Sequence, residues 1–334
     1  MSQPYVRPDV QTFLAFLNNL PGPRTYQLDA PAARMAYLAM KDVADPPAGE
    51  LAIKRDLSAP GPAGDISVRL YDARERREPG PALVFFHGGG FVIGNLDTHD
   101  SFCAEAARAL DLPIISVDYR LAPECPFPAA TDDCEAAARW IASAPAELGV
   151  RPTGLVFAGD SAGGNLAIVT THALRDRPAA LPVLAQWPIY PVVDDSAKYP
   201  SYSDFASGFL LDQPTMEYFH HHYAASEEDL RTVPIRHSHA GTPPTLVITA
   251  GLDPLRDQGR AYAAELVRAG VPTVYREAVG NIHGFVTLRK AIPSSAGDVA
   301  ACFRILKDMI NEAEAERVMA VAAGGAATVA AAAE

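Results

Sequence analysis

One serine in this sequence stands where nucleophilic catalysis would need it. Ser161 is the centre of the motif GDSAG at 159–163, between an apolar run and a helical run. A serine on a sharp strand-to-helix turn takes strained backbone angles, and only small neighbours leave room for it. We therefore predict that Ser161 is the nucleophile of an acyl-transfer reaction. The alternative interpretation is an ordinary glycine-rich turn that matches the motif by chance.

Three consecutive glycines form a second signal in the segment HGGGF at 87–91, which we call the glycine loop. Glycines let a backbone approach a ligand closely and turn several N–H groups one way. An oxyanion hole needs such donors where charge develops, and the Ala162 N–H at a helix start would add one more. A plain tight turn is the alternative. A phosphate loop fits poorly, because no Lys-Ser/Thr pair follows the glycines.

A serine nucleophile needs a base, and the base needs a partner that orients it. His283 lies in the segment GNIHGF at 280–285, directly after the last predicted strand, and Asp253 follows another strand. Asp257 is the rival acid, but its position suits the N-cap of a helix. The chain order Ser161, Asp253, His283 is the order expected for α/β hydrolases.

The remaining histidines are predicted to have structural roles. The triple histidine 220–222 resembles a metal cluster, yet consecutive side chains on a helix diverge by about 100° and cannot share one ion. We therefore predict no metal site there. His87 is interpreted as a brace of the glycine loop, and the others as surface or packing residues: His99, His172, His237 and His239.

The elements that would position these residues alternate between strands and helices. The predicted strands are Leu51–Leu57, Ile66–Tyr71, Ala82–His87, Pro113–Asp118, Leu155–Ala158, Val183–Tyr190, Thr245–Ala250 and Pro272–Glu277. The predicted helices are Thr98–Leu110, Asp132–Ser143, Ala162–Arg175 and Asp257–Ala269. This order predicts an α/β fold with a mostly parallel eight-stranded sheet, helices on both faces and an antiparallel start.

Two helical segments interrupt the alternation, residues 1–50 and residues 192–240. The second carries an aromatic stripe, namely Phe205, Phe209, Tyr218, Phe219 and Tyr223. We predict that the two segments form a helical cap over a catalytic domain made of 51–191 and 241–315. Their apolar residues are also explained by simple packing, which does not exclude the cap. The Ala-rich tail 316–334, with its Gly324–Gly325 break, is of low complexity and is expected to fray or to be disordered.

Composition narrows the partners and the location of the protein. A net charge of −12 over 334 residues argues against a nucleic-acid partner. The cysteines, at 103, 125, 134 and 302, show no zinc spacing and are interpreted as free thiols in a reducing compartment. We find neither a signal peptide nor a stretch long enough to span a bilayer, so we expect a cytoplasmic protein without stable membrane association. A homodimer is left open.

With these motifs the sequence resembles the hormone-sensitive-lipase-like esterases, the bacterial family IV of the α/β-hydrolase superfamily. The resemblance rests on HGGGF at 87–91, YRLAPE at 119–124, GDSAGG at 159–164, DPLRD at 253–257 and HGF at 283–285. It implies that Ser161 attacks the carbonyl, His283 moves the proton and Asp253 holds the imidazole. It also implies oxyanion donors at Gly89, Gly90 and Ala162, with Gly88 serving mainly the turn.

The resemblance further implies a serine carboxylesterase without a cofactor, acting on small-molecule esters with short to medium acyl chains. An Arg120–Glu124 brace is expected within the second motif. The side chains expected to line the pocket are Phe91, Asp160, Phe209 and Phe285.

Two other functions stay open on the sequence alone. An amidase or a deacetylase would use the same site, because the acyl-enzyme chemistry is shared and the pocket selects the substrate. A non-catalytic binding protein is the second alternative, since gibberellin receptors resemble this family but have lost the histidine. His283 is present here, which favours an enzyme.

Overall fold

The computed structural model describes residues 4–194, 199–226 and 228–331. Its strands are β1 (Ile53–Gly61), β2 (Gly64–Asp72), β3 (Gly80–Phe86), β4 (Ile114–Asp118), β5 (Pro152–Asp160), β6 (Val183–Ile189), β7 (Thr245–Leu252) and β8 (Thr273–Ile282). They form one sheet in the order β1-β2-β4-β3-β5-β6-β7-β8. Strand β2 is antiparallel to both of its neighbours, and the other pairs are parallel. The predicted α/β fold with its antiparallel start is confirmed.

The helices are α1 (Pro8–Asn19), α2 (Ala30–Ala44), α3 (Asp100–Leu110), α4 (Ala129–Ala142), α5 (Ala162–Asp176), α6 (Pro200–Asp204), α7 (Gln213–Tyr223), α8 (Arg256–Arg268) and α9 (Ser295–Ala331). Helices α3 and α9 cover one face of the sheet, and α4, α5 and α8 cover the other. Strand β5 shows why both faces must be covered. Leu155 and Phe157 point into one apolar core while Val156 and Ala158 point into the other, as the alternation along a strand requires.

Both segments that interrupt the alternation contain helices. Helices α1 and α2 precede the sheet, and α6 and α7 lie between β6 and β7. The Asn18 side chain at the end of α1 donates to Gly208 O at 3.2 Å, which joins the two segments. Parts of these segments, residues 1–3, 195–198 and 227, lie outside the described residues.

The C-terminal tail differs from expectation. Helix α9 passes Glu316 and the two glycines and ends only at Ala331, so the part of the tail that is described is helical instead of frayed. Alanine has the highest helix propensity, and extending an existing helix needs no new nucleus. Residues 332–334 lie outside the described residues. Of the helices in the described ranges, none has the length and apolar character that a membrane span requires.

Candidate active site

The turn at Ser161 joins β5 directly to α5. Ser161 has φ 57° and ψ −117°, a strained conformation for a residue with a Cβ. Small neighbours make the turn possible, because a Cβ at Gly163 would overlap the carbonyl oxygen of Phe86. The turn is also fixed by a 2.9 Å hydrogen bond from Ser161 N to Ile189 O on the neighbouring strand. The serine is thereby held at the carboxyl edge of the sheet.

The structure brings the predicted serine, histidine and aspartate together at this edge. His283 Nε2 lies 2.9 Å from Ser161 Oγ, and His283 Nδ1 lies 2.8 Å from Asp253 Oδ2. Asp253 follows β7 and is fully buried, and its other oxygen accepts a 2.8 Å hydrogen bond from Leu255 N. If Nδ1–H donates to Asp253, Nε2 is left to accept the serine proton, which is the tautomer that a general base needs.

The glycine loop faces the same point from the end of β3. Gly89 and Gly90 have φ values of 123° and 59°, which a residue with a side chain rarely adopts. Within the described part of the chain, no protein acceptor is found for the N–H groups of Gly89, Gly90 or Ala162. These donors are therefore available to an oxyanion. Gly88 is not, because its N–H donates to Asp160 Oδ1 at 2.7 Å.

His87 braces the glycine loop, as expected. Its ring stacks on Tyr119 with 4.3 Å between centroids, and its Nδ1 lies 2.8 Å from Gly88 O. Burial lowers the pKa of His87 to about 4, so the ring is neutral at ordinary pH and Nδ1–H can donate to that carbonyl.

Two of the side chains expected to line the pocket do not do so. Phe285 is only 1% exposed and packs in the core against Tyr190, with 5.3 Å between ring centroids. Asp160 is 3% exposed, and its carboxylate lies under the glycine loop instead of facing a substrate. Phe91 is buried and stacks on Tyr223 at 3.8 Å, while Phe209 is half-buried.

Two other residues approach the site more closely than the sequence indicated. The ring of Phe219, on α7, lies against Gly90, where a Cβ would overlap it. Leu210, which has φ 73°, lies close to Gly284, the residue after His283. The aromatic stripe contained Phe219, but spacing along a helix cannot tell which member meets a loop that is distant in the chain.

Asp257, the rival acid, belongs to a different network. Helix α8 begins one residue earlier, so Asp257 is not its N-cap, contrary to expectation. It accepts a 3.0 Å hydrogen bond from Ser201 N and pairs with Arg256 at 2.7 Å. It therefore ties α6 to α8 and does not contact His283.

The prediction of an Arg120–Glu124 brace is wrong. Arg120 pairs with Asp133 at 2.7 Å, and Glu124 pairs with Arg34 of α2 at 2.6 Å. Both partners come from elements whose proximity only the folded chain reveals.

The triple histidine lies in the last turn of α7, where His220 and His221 are exposed and His222 packs on Tyr218. Across the ranges that the structure describes, no group of three or more side chains is arranged to hold a metal ion. His99, in contrast, is fully buried, and its Nε2 lies 3.1 Å from Asp160 Oδ1, off the line of a hydrogen bond.

The known proteins that this chain resembles are α/β hydrolases and ester hydrolases. Residues 83–287 match the model of a family described by its alpha/beta hydrolase fold. The carboxylic ester hydrolase LipN of Mycobacterium tuberculosis is 42% identical over 246 residues, which cover 70% of this chain and 64% of LipN. An ethyl acetate hydrolase of Pseudomonas putida is 40% identical, over 68% of this chain and 73% of the relative.

Solved structures are similar over nearly the whole chain. An alpha/beta hydrolase from the metagenome of Lake Arreo superposes with a TM-score of 0.87 at 36% identity, covering 92% of this chain and 99% of that one. A hyperthermophilic esterase from Pyrobaculum calidifontis gives a TM-score of 0.85 at 35% identity, covering 91% and 99%.

Proposed function

The chain belongs to the α/β-hydrolase fold family and is a carboxylester hydrolase, and from this premise we propose that Ser161, His283 and Asp253 form its catalytic triad. The observation that carries the proposal is the chain of hydrogen bonds from Ser161 Oγ through both ring nitrogens of His283 to Asp253. A serine hydroxyl is a weak nucleophile, and this arrangement activates it.

The reaction proceeds in two halves. His283 Nε2 takes the hydroxyl proton as Ser161 Oγ attacks the ester carbonyl, and the N–H groups of Gly89, Gly90 and Ala162 stabilise the resulting oxyanion. The C–O bond to the alcohol then breaks, and His283 returns the proton to the departing oxygen. In the second half His283 deprotonates a water, which attacks the acyl-enzyme. The bond from the acyl carbon to Ser161 Oγ then breaks, His283 returns the proton to Ser161 Oγ, and the carboxylic acid leaves.

Short to medium acyl esters are the proposed substrates. Phe219 against the glycine loop and the half-buried Phe209 narrow the space beside the nucleophile. We propose that residues 1–50 and 192–240 act as the cap over a catalytic domain formed by 51–191 and 241–315. The name of the ethyl acetate hydrolase among the relatives agrees with a small substrate.

The remaining properties are also proposals. Every proton in the scheme is carried by His283 or water, so the reaction calls for no cofactor. The net charge of −12 disfavours nucleic acid, and the four unpaired cysteines favour a cytoplasmic location. A small-molecule ester is the proposed partner, without stable membrane association; self-association as a homodimer can be measured by light scattering.

Labelling with a serine-directed fluorophosphonate tests the assignment. The wild-type protein should gain the mass of one phosphonyl group at Ser161 and lose esterase activity in parallel. Ser161→Ala should take up no label and show a kcat lower by about 10⁴–10⁶, as found when a triad is disabled as a unit. Ser143→Ala, at the end of α4, is the control and should behave as wild type. Retention of more than a tenth of the activity by Ser161→Ala would disprove the assignment.

A further inference from the structure

Asp160 is a buried carboxylate that the triad does not use. It precedes the nucleophile and is 3% exposed. Its Oδ1 accepts the 2.7 Å hydrogen bond from Gly88 N, and its Oδ2 lies 3.3 Å from the hydroxyl of Tyr190. A buried acid that contacts both sides of a catalytic site needs an explanation beyond packing, since burying a charge is costly unless it is compensated.

The contact with Gly88 fixes the glycine loop. The hydrogen bond holds the His87–Gly88 peptide unit. The next peptide unit along the chain carries the N–H of Gly89, which is one of the proposed oxyanion donors. The fit is close enough that a Cβ at Gly88 would overlap the Asp160 carboxylate. Asp160 therefore limits how far the donors can move away from Ser161.

The contact with Tyr190 connects Asp160 to His283, the proposed base. The Tyr190 ring lies 4.5 Å from the His283 ring, centroid to centroid, and is fully buried. Tyr190 stands at the end of β6 with a positive φ of 33°, and its N–H donates to Ile248 O at 2.6 Å. Its hydroxyl bond to Asp160 thus holds in place a ring against which the imidazole packs.

Charged and polar neighbours keep Asp160 ionised. Burial alone would raise its pKa, but the charge of nearby His99 and the hydrogen bond from Gly88 together hold the pKa below the ordinary value. Burial, reinforced by Asp160, raises the pKa of Tyr190 well above its ordinary value, so its hydroxyl keeps the proton that it donates.

We propose that Asp160 is a positioning residue that fixes the oxyanion donors of the glycine loop and the imidazole of His283 relative to each other, through Gly88 on one side and Tyr190 on the other. This inference rests on the proposed function of Ser161 and His283. It predicts that loss of Asp160 weakens binding of the transition state more than binding of the ester.

The test compares Asp160→Ala, Asp160→Asn and Tyr190→Phe, alone and combined, with kcat expressed per site titrated by phosphonate. Asp160→Ala should lower kcat by about tenfold to a hundredfold while KM changes by less than about threefold, and affinity for a trifluoromethyl ketone should fall in parallel with kcat. Asp160→Asn keeps an acceptor for Gly88 and should lose less. Tyr190→Phe should lower kcat modestly and add nothing to Asp160→Ala, because both remove the same link.

Tyr262→Phe is the matched control. Tyr262 is a fully buried tyrosine whose hydroxyl accepts a 3.0 Å hydrogen bond from Gln186, remote from the triad, and its loss should leave kcat per titrated site unchanged. A kcat per site within about twofold of wild type for Asp160→Ala would overturn the inference, as would additive losses for Asp160 and Tyr190. If Asp160→Ala does not fold, Asp160→Asn and Tyr190→Phe replace it. Each should lower kcat per titrated site, and no loss in either variant would overturn the inference. If the wild-type protein turns over no ester, it is the proposed function that fails.

Discussion

The phenyl ring of Phe219 lies directly against the α-carbon of Gly90. Helix α7 therefore touches the glycine loop, which is proposed to bind the oxyanion. Four residues further along the same face of α7, Tyr223 stacks on Phe91 with 3.8 Å between ring centroids. Two aromatic side chains of one helix thus rest on two consecutive residues of the glycine loop. The identity of residue 219 should therefore affect what fits beside the nucleophile.

Phe219→Ala should move the preference toward longer acyl chains. Removing the ring opens space for several methylenes, and each buried methylene contributes about 0.8 kcal/mol, or roughly fourfold in kcat/KM. The measurement is kcat/KM for p-nitrophenyl esters from acetate to dodecanoate. His220→Ala, which changes the next and exposed residue of α7, should keep the wild-type profile. An unchanged optimum in Phe219→Ala would show that this ring does not limit the acyl group.

Asp253→Asn should be far more damaging than Asp257→Asn. The carboxylate of Asp253 accepts from His283 Nδ1, and an asparagine there favours the wrong tautomer, which in a related triad costs about 10⁴-fold in kcat. Asp257 instead joins Ser201, Arg256 and Arg260, so its loss should lower stability by about 1 kcal/mol and leave kcat near wild type. Steady-state kinetics and urea unfolding of both variants measure these effects. Equal losses of activity would mean that Asp253 is not the carboxylate that orients His283.

The sequence predicted the elements that repeat a pattern and the residues that stand at their ends. The eight strands and the placement of Ser161, Asp253 and His283 at one edge follow from alternation and chain order, which are local properties. The partners of Asp160 could not be predicted in the same way. Gly88 and Tyr190 lie 72 and 30 residues away, and their contact depends on how strands β3, β5 and β6 are ordered in the sheet.

The Arg120–Glu124 brace failed for a related reason. The brace was implied by the resemblance of the segment 119–124 to the family motif, but the segment is not a helix and each side chain pairs with a residue of another element. The helical tail shows the opposite case. Its low complexity indicated disorder, whereas the high helix propensity of alanine lets an existing helix continue.

His172 should make the protein less stable in acid. Burial, helped by the charge of Arg175, lowers the pKa of His172 from 6.5 to about 3, and the ring packs against His237 at 4.6 Å. Because the unfolded chain binds the proton more readily, the free energy of unfolding rises with pH between about 3 and 6.5 and levels off above. From pH 6.5 down to pH 4.5 this one group should remove roughly 2–3 kcal/mol.

His172→Gln removes the titratable ring and tests the predicted direction in which stability changes with pH. The variant should be less stable than wild type at pH 7, where only packing is lost, but the difference should shrink or reverse at pH 4.5. Urea unfolding at the two pH values gives both free energies, and His220→Gln, at an exposed position of α7, controls for the general effect of losing a histidine. A stability difference that is the same at both pH values would contradict the role assigned to His172.

The wild-type acyl preference should rise from acetate to a maximum near butanoate or hexanoate and then fall steeply. Each added methylene gains about 0.8 kcal/mol of transfer free energy only while the cleft has room for it. Phe219 against Gly90 limits that room on the side of the oxyanion donors, and Leu210 beside Gly284 limits it on the side of the base. Beyond this limit a longer chain must displace packed side chains, at a cost of about 1–3 kcal/mol. The kcat/KM series over p-nitrophenyl esters measures the rise and the fall, with emulsified long-chain triglyceride as a second substrate. A maximum at palmitate, or a jump in rate when an oil–water interface appears, would identify a lipase with an open binding face and would rule out the proposed cap over the site.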